Sequence, residues 1–297
     1  MWQQLLQSIQ EGNRKTLARC ISLVENEVPG YEKLLQLIPG NRTPIIGLTG
    51  PPGAGKSTLT DALISQFVQD GKKTGILCVD PSSPFNLGSL LGDRIRMSQW
   101  YNNPDVFIRS LATRGSLGGL HPKIIEISDL MKAGGFDIII VETVGVGQSE
   151  IEIAGLADVT AVVLVPEAGD DVQSMKAGLM EIADLFVVNK SDRPDAELFV
   201  NNLKLMLAPS FSRRTEEVPV VKTIASKKEG IDELYGLLLQ IIAKQKINSR
   251  HFWLLAEKAY YLIQQKRMAG IDKADLKKKI EASGNEFNLY TFIREYY

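Results

Sequence analysis

The sequence predicts an α/β fold, a mostly parallel central sheet with helices on both faces and helical extensions at either end. Three observations predict it. Short runs rich in β-branched residues recur between residues 43 and 223. Most of them are separated by stretches long enough for a helix. The runs are also continuously apolar rather than alternating, which is the texture of strands covered on both faces. Each strand–helix–strand crossover is expected to be right-handed.

The elements follow in order. In residues 1–40, Leu5, Leu6, Ile9, Leu17, Ile21 and Val24 recur near helical spacing around a break at Gly12-Asn13, and Pro29-Gly30 ends the second segment. Strands are expected at Thr43–Thr49, Thr74–Asp80, Asp105–Leu111, Phe136–Glu142, Val159–Val165, Leu185–Asn189 and Val218–Thr223. Ser57–Asp70 and Pro122–Ala133 are helical stretches between them. Past Glu229-Gly230 the texture turns helical again, with Ile231–Lys244 and then Arg250–Arg267. In the latter, Phe252, Leu255, Ala256, Ala259, Leu262 and Ile263 form one apolar stripe. The final segment, Ala274–Tyr297, holds Lys277-Lys278-Lys279, read as a solvated helix face, and finishes in aromatics. The expected organisation is a helical extension over 1–40, an α/β domain over 41–245 and a helical arm over 246–297.

Composition narrows the function classes. The 297 residues carry 34 Lys+Arg against 35 Asp+Glu, a formal charge of -1, and so lack the basic excess of a nucleic-acid binder. Two cysteines, Cys20 and Cys78, are too few for a disulfide framework and suit a reducing compartment. The longest apolar runs, Ile138–Val141 and Ala161–Val165, are strand-sized, so no membrane span is expected. The N-terminal residues show neither a secretory nor a transit pattern, so a cytoplasmic location is expected. His121 and His251 are isolated, with no Cys or acid at ligand spacing, and suggest no zinc site.

The strongest motif is Gly50-Pro51-Pro52-Gly53-Ala54-Gly55-Lys56-Ser57, which fits G-x-x-x-x-G-K-[ST] between an expected strand and an expected helix. Glycines let successive backbone N–H groups turn toward a polyphosphate, and the helix N-terminus adds partial positive charge there. Lys56 is expected to reach the β- and γ-phosphates, and the Ser57 hydroxyl to ligate Mg²⁺. Thr58, next in the helix, completes the phosphate-binding set.

The second motif is Asn189-Lys190-Ser191-Asp192, at a strand end. A carboxylate at Asp192 can accept from both the ring N–H and the exocyclic amine of guanine. Adenine offers neither donor, so such a site rejects it. Lys190 would lay its stem along the base, and Asn189 would tie this loop to the phosphate loop. The loop after the next strand, with Ala225 and Ser226, would offer a backbone N–H to the guanine carbonyl. On its own an N-x-x-D loop is also a common capped turn.

Acids at strand ends form the third signal. Glu142 closes an apolar strand and is followed by Thr143-Val144-Gly145, whose glycine amide is placed to sense a γ-phosphate. Asp80 ends an earlier strand, and Asp93 follows it. Mg²⁺ takes oxygen ligands and keeps waters, so one or two of these acids would act directly or through water. A lone strand-end acid can equally be a helix N-cap, and that alternative stays open for Asp93. Arg94, Arg96, Arg109 and Arg114 are possible charge neutralisers for phosphoryl transfer.

Over roughly residues 12–235 the chain resembles the MeaB/ArgK family of P-loop GTPases, in the SIMIBI class. The resemblance lies in Val79–Phe85 with Gly88–Met97, in Arg109–Gly119, in Glu142–Glu150 and in Pro166–Gln173. It implies phosphate and Mg²⁺ roles for Lys56, Ser57, Asp80, Asp93 and Glu142, and guanine roles for Asn189, Lys190 and Asp192. It places Asp93 in switch I and Gly145 in switch II. Val165–Lys176, with Glu167, Asp170, Gln173 and Lys176, is similar to the family's switch III loop. The implied function is a GTPase chaperone of an adenosylcobalamin-dependent acyl-CoA mutase, above all methylmalonyl-CoA mutase, gating cofactor loading and protecting the mutase. Adenosylcobalamin would sit on that partner and not on this chain, and the C-terminal arm would make a homodimer. Little intrinsic turnover is expected, because no residue stands out as a glutamine-type water positioner, and the partner would complete the site. The alternatives are a metallochaperone GTPase, which needs a Cys/His site, a small-molecule kinase, which would not need Asn189–Asp192, and a scaffold indifferent to Lys56.

Overall fold

The structure is a computed structural model; it describes the whole chain except residues 41, 81–96, 114–119, 146–148, 169–176, 209–216, 245–248, 269, 285–286 and 297. Seven strands form one sheet: β1 (Ile45–Thr49), β2 (Thr74–Asp80), β3 (Val106–Ala112), β4 (Ile138–Glu142), β5 (Val159–Leu164), β6 (Leu185–Asn189) and β7 (Val220–Thr223). Their order is β3-β2-β4-β1-β5-β6-β7, and every pairing is parallel. The mostly parallel sheet predicted from sequence is thus parallel throughout.

Of the strands that begin later than the expected runs, β1 and β7 do so for one reason. Pro44 and Pro219 have no N–H to give the ladder. Their carbonyls still accept, from Ile139 N at 3.0 Å and Phe186 N at 2.9 Å, and pairing starts one residue on.

Strand periodicity divides the core between the two faces. Val159, Ala161 and Val163 of β5, with Leu185 and Val187 of β6, join one buried cluster with α4 (Lys56–Gln69) and Leu234 and Leu238 of the helix Ile231–Lys244. Val162, Leu164, Phe186 and Val188 point the other way, into a cluster with Phe199, Val200 and Leu203 of the helix Ala196–Leu207. Both faces are covered, which is why these strands read as unbroken hydrophobic runs.

The N-terminal residues form α1 (Trp2–Gln10), α2 (Arg14–Glu25) and α3 (Tyr31–Leu35). Asn13 caps α2 by accepting from Thr16 N at 3.0 Å, so the predicted break at Gly12-Asn13 is a helix start. These helices pack on α5 (Ile124–Ala133), which lies between β3 and β4.

Cα packing divides the chain into two compact units, Met1–His251 and Phe252–Tyr297. The second holds most of the helix Ser249–Arg267, then Lys273–Ala282 and Leu289–Phe292. Within it, Phe287 and Phe292 meet edge to face at 5.5 Å between ring centroids, and Phe292 and Tyr296 meet tilted at 5.6 Å. Among the described residues, no helix is long and apolar enough to cross a membrane.

Candidate functional site

The site lies at the C-terminal ends of the parallel strands, where α/β sheets place ligands. β1 ends at Thr49 and α4 begins at Lys56, so Gly50–Gly55 form the loop between a central strand and a helix N-terminus. Gly50 adopts φ 139°, and a Cβ there would stand 2.0 Å from the Val163 carbonyl oxygen. Gly55, at φ 89°, is the αL residue from which α4 starts. Pro51 and Pro52 complete the loop's turn, Gly53 is exposed and Ala54 buried. The Lys56 ammonium is buried and donates to the carbonyls of Gly50 at 2.8 Å and Pro51 at 3.1 Å, closing over its own loop. Thr58 is partly buried on the first turn of α4.

Hard oxygens gather beside the loop. The Ser57 hydroxyl donates to Glu142 Oε1 at 2.7 Å. Thr60 Oγ1 lies 3.1 Å from Glu142 Oε2 and 3.0 Å from the Lys56 carbonyl. Glu142 faces Cys78 across the β2–β4 ladder, so Asp80, buried at the end of β2, lies two residues further along the neighbouring strand. The oxygens of Ser57, Thr60, Asp80 and Glu142 are of the kind that suits Mg²⁺. Gly145 closes the far side: a Cβ on it, at φ 86°, would stand 2.1 Å from Gly50 O and 2.5 Å from Lys56 Nζ. The Thr143 hydroxyl, 2.9 Å from that of Thr49, pins the start of this turn to β1.

The loops expected to read a base are joined to the phosphate loop through Asn189. Its Nδ2 donates to Ala54 O at 2.9 Å, and its Oδ1 accepts from Thr223 Oγ1 at 3.2 Å and Ala225 N at 3.1 Å. Lys190, at φ 56°, reaches back to Gly53 O at 2.7 Å. Asp192 is exposed, with Lys227 Nζ 3.3 Å from Oδ2. From sequence, the loop at Ala225 and Ser226 is expected to offer a backbone N–H to a base carbonyl. The Ala225 N–H donates to Asn189, and Ser226 and Lys227 are exposed in that turn.

Asp93, Asp170, Gln173 and Lys176 lie outside the described residues, as do Arg94, Arg96 and Arg114. Glu167 sits in the turn Pro166–Ala168 and pairs with Arg193, one residue past Asp192. Arg109 is engaged with Glu25 and Ser22 rather than with the phosphate loop. Sequence reasoning missed Thr60 and Lys227. Thr60 was findable, since it lies four residues after Lys56 on the same helix face. Lys227 gave no signal, because nothing local says which of Lys227 and Lys228 turns toward Asp192.

With this geometry in place, the comparisons decide the family. The family profile described as methylmalonyl Co-A mutase-associated GTPase MeaB matches residues 17–259. The chain belongs to the MeaB family. It is 43% identical over 293 residues to a Pyrococcus horikoshii protein, PH0274, covering 96% of this chain and 90% of that one. It is 37% identical over 255 residues to the mouse methylmalonic aciduria type A homolog, mitochondrial, covering 77% of this chain and 60% of the other. The solved structure of a LAO/AO transport system kinase superposes with a TM-score of 0.71 at 27% identity, covering 99% of this chain and 96% of that one. The fold is that of a P-loop NTPase of the SIMIBI type, and the MeaB-family chain is a GTP hydrolase.

Proposed function

We propose that this GTPase is a Mg²⁺-dependent chaperone of an adenosylcobalamin-dependent acyl-CoA mutase, most simply methylmalonyl-CoA mutase. It would gate loading of the cofactor, which stays on the partner, and protect or reactivate the mutase. The mutase link is supported by the family description, and the GTP reading is carried by Asn189. One carboxamide bonds the phosphate loop at Ala54, the end of β7 at Thr223 and the turn after it at Ala225, so both ends of a nucleotide would be gripped by one connected unit.

In this reading the N–H groups of Gly50–Ser57 receive the phosphate oxygens, and Lys56 exchanges its two loop carbonyls for the β- and γ-phosphates. Ser57, Asp80 and Glu142, with Asp93, would hold the metal directly or through water. Mg²⁺ held there would supply positive charge against the negative charge on the phosphate oxygens. Gly145, packed against Gly50 and Lys56, presents its amide to the γ-phosphate, so loss of that phosphate frees the turn it belongs to. Asp192 accepts from the guanine ring N–H and amine, Lys190 walls one face of the base, and Ser226 offers a donor to the base carbonyl.

The Glu167–Arg193 pair is an observed bridge between the turn that precedes residues 169–176 and the Asp192 loop. It would let a partner bound over Glu167, Asp170, Gln173 and Lys176 be felt at the base. We place the protein in the cytoplasm and read residues 246–297 as a homodimerisation arm. Its exposed Phe252, Trp253, Tyr260 and Ile263, each more than half accessible, support that reading.

The test is GTP turnover with and without purified mutases. Turnover that rises on adding the cognate mutase supports the coupling. A rate unchanged by every adenosylcobalamin-dependent acyl-CoA mutase would refute it.

A further inference from the structure

The acid assigned to the base has a cation beside it: Lys227 Nζ lies 3.3 Å from Asp192 Oδ2. The two residues come from different loops, one after β6 and one after β7, and backbone bonds hold those loops together. Ser191 N donates to Thr223 O at 3.1 Å, which ties the Asp192 loop to the end of β7. The turn Ala225–Lys227 is closed by Lys227 N on Ile224 O at 2.9 Å and by Lys228 N on Ala225 O at 3.2 Å. The Ala225 N–H joins the same turn to Asn189. Two adjacent lysines leave this turn toward different partners. Lys228, at φ 60°, reaches Ser65 Oγ on α4 at 3.0 Å, while Lys227 reaches Asp192.

Stability is a small part of what the second contact offers. Its side chains are 56% and 42% exposed, and an ion pair that wet contributes about 0–1 kcal/mol. Its hydrogen-bonding order is more telling. An ammonium next to a carboxylate presents a donor followed by two acceptors. The edge of guanine that Asp192 would read runs in the complementary order: carbonyl oxygen, ring N–H, amine. With Oδ2 on the ring N–H and Oδ1 on the amine, a cation at the Oδ2 side faces the carbonyl oxygen. Adenine carries an amine in place of that oxygen, so a lysine there would meet a donor. A carbonyl oxygen has two lone pairs, which leaves room for Ser226 as well.

We infer that Lys227 is a specificity-determining residue of the base site, its ammonium donating to the guanine carbonyl oxygen while Asp192 accepts from the N–H groups next to it. This rests on the reading of Asp192 as the guanine acceptor. The carboxylate keeps the ammonium beside the oxygen it reads, so one charged pair covers the whole of that edge.

The experiment is calorimetric binding to the full chain of GDP and of its thione analogue, for the wild type, Lys227→Met and Asp192→Asn. The thione keeps the ring N–H and the amine and exchanges only the carbonyl oxygen for sulfur, a weak acceptor. The wild type should hold GDP more tightly than the thione. Lys227→Met should lose about tenfold in GDP affinity, the lower part of the range for one such base contact, and little on the thione. A Lys227→Met variant that binds both nucleotides as the wild type does, or loses equally on both, overturns the inference. If Asp192→Asn still weakens GDP binding in that case, the reading of Asp192 stands. Wild-type GDP affinity in Asp192→Asn overturns both.

Discussion

The Ser57 hydroxyl donates to Glu142 Oε1 across 2.7 Å, joining the first turn of α4 to the end of β4. Thr60 occupies the other carboxylate oxygen, at 3.1 Å, so one buried acid is held from two successive turns of a single helix. The phosphate loop and the acid strand are therefore set relative to each other by side chains, not by the sheet ladder alone.

Replacing that acid separates chemistry from stability. Glu142→Gln keeps the shape and one acceptor oxygen, so the stability cost should be about 1 kcal/mol. GTP hydrolysis should fall by about 100-fold or more, since a preorganised charge on the metal side is removed. Phosphate release and a melting curve on one preparation check both.

Two glycines of the same loop should behave differently. At Gly50 an added Cβ meets the Val163 carbonyl oxygen at 2.0 Å, and backbone cannot move aside. Gly50→Ala should cost about 3 kcal/mol or more and abolish nucleotide binding. Gly53, at φ 77°, has nothing within 4 Å of its ideal Cβ. Gly53→Ala should cost only the left-handed penalty of about 1–2 kcal/mol. Denaturant midpoints rank the two.

Asn189→Ala removes one donor–acceptor group that serves three partners. It should lower stability by about 2–3 kcal/mol, because the Ala54 carbonyl and Ala225 N–H are left without their side-chain partner. GDP affinity should fall with it, as the phosphate and base loops are no longer tied. Fluorescent GDP binding and thermal melting report these separately.

Both cysteines are buried, Cys20 in α2 and Cys78 in β2. Burial pushes the Cys20 thiol above its ordinary pKa, with Arg19 opposing only in part. The thiolate is the reactive form, so neither residue should react with a thiol reagent at pH 7–8 in the native protein, and both should in denaturant. Rapid native labelling of either would contradict the packing of that element.

Much of this architecture is legible in sequence because its causes are local. Apolar runs bounded by polar residues mark β2 and β6 to the residue, and the Gly50–Ser57 spacing fixes where β1 yields to α4. Pro44 and Pro219 could have trimmed two strands, since a missing N–H is itself a sequence fact. Pairings across long separations are not legible. Glu25–Arg109 spans 84 residues, and no periodicity links an acid at a helix end to a base on an edge strand. The Ala225–Asn189 bond is illegible for a related reason: whether that amide faces a ligand or Asn189 depends on how two loops meet in space.

The most direct test concerns Asp192. Calorimetry should compare GDP, ADP and xanthosine diphosphate on the wild type and on Asp192→Asn. A carboxylate matched to the guanine ring N–H and amine should favour GDP over ADP by about 10⁴-fold, the discrimination a hydrogen-bond-matched site gives. The carboxamide of Asp192→Asn can donate to the oxygen that replaces the amine in xanthine, so preference should move to xanthosine diphosphate. Equal affinity for GDP and ADP, or a variant whose preference does not move, would contradict the assignment of this loop to the base.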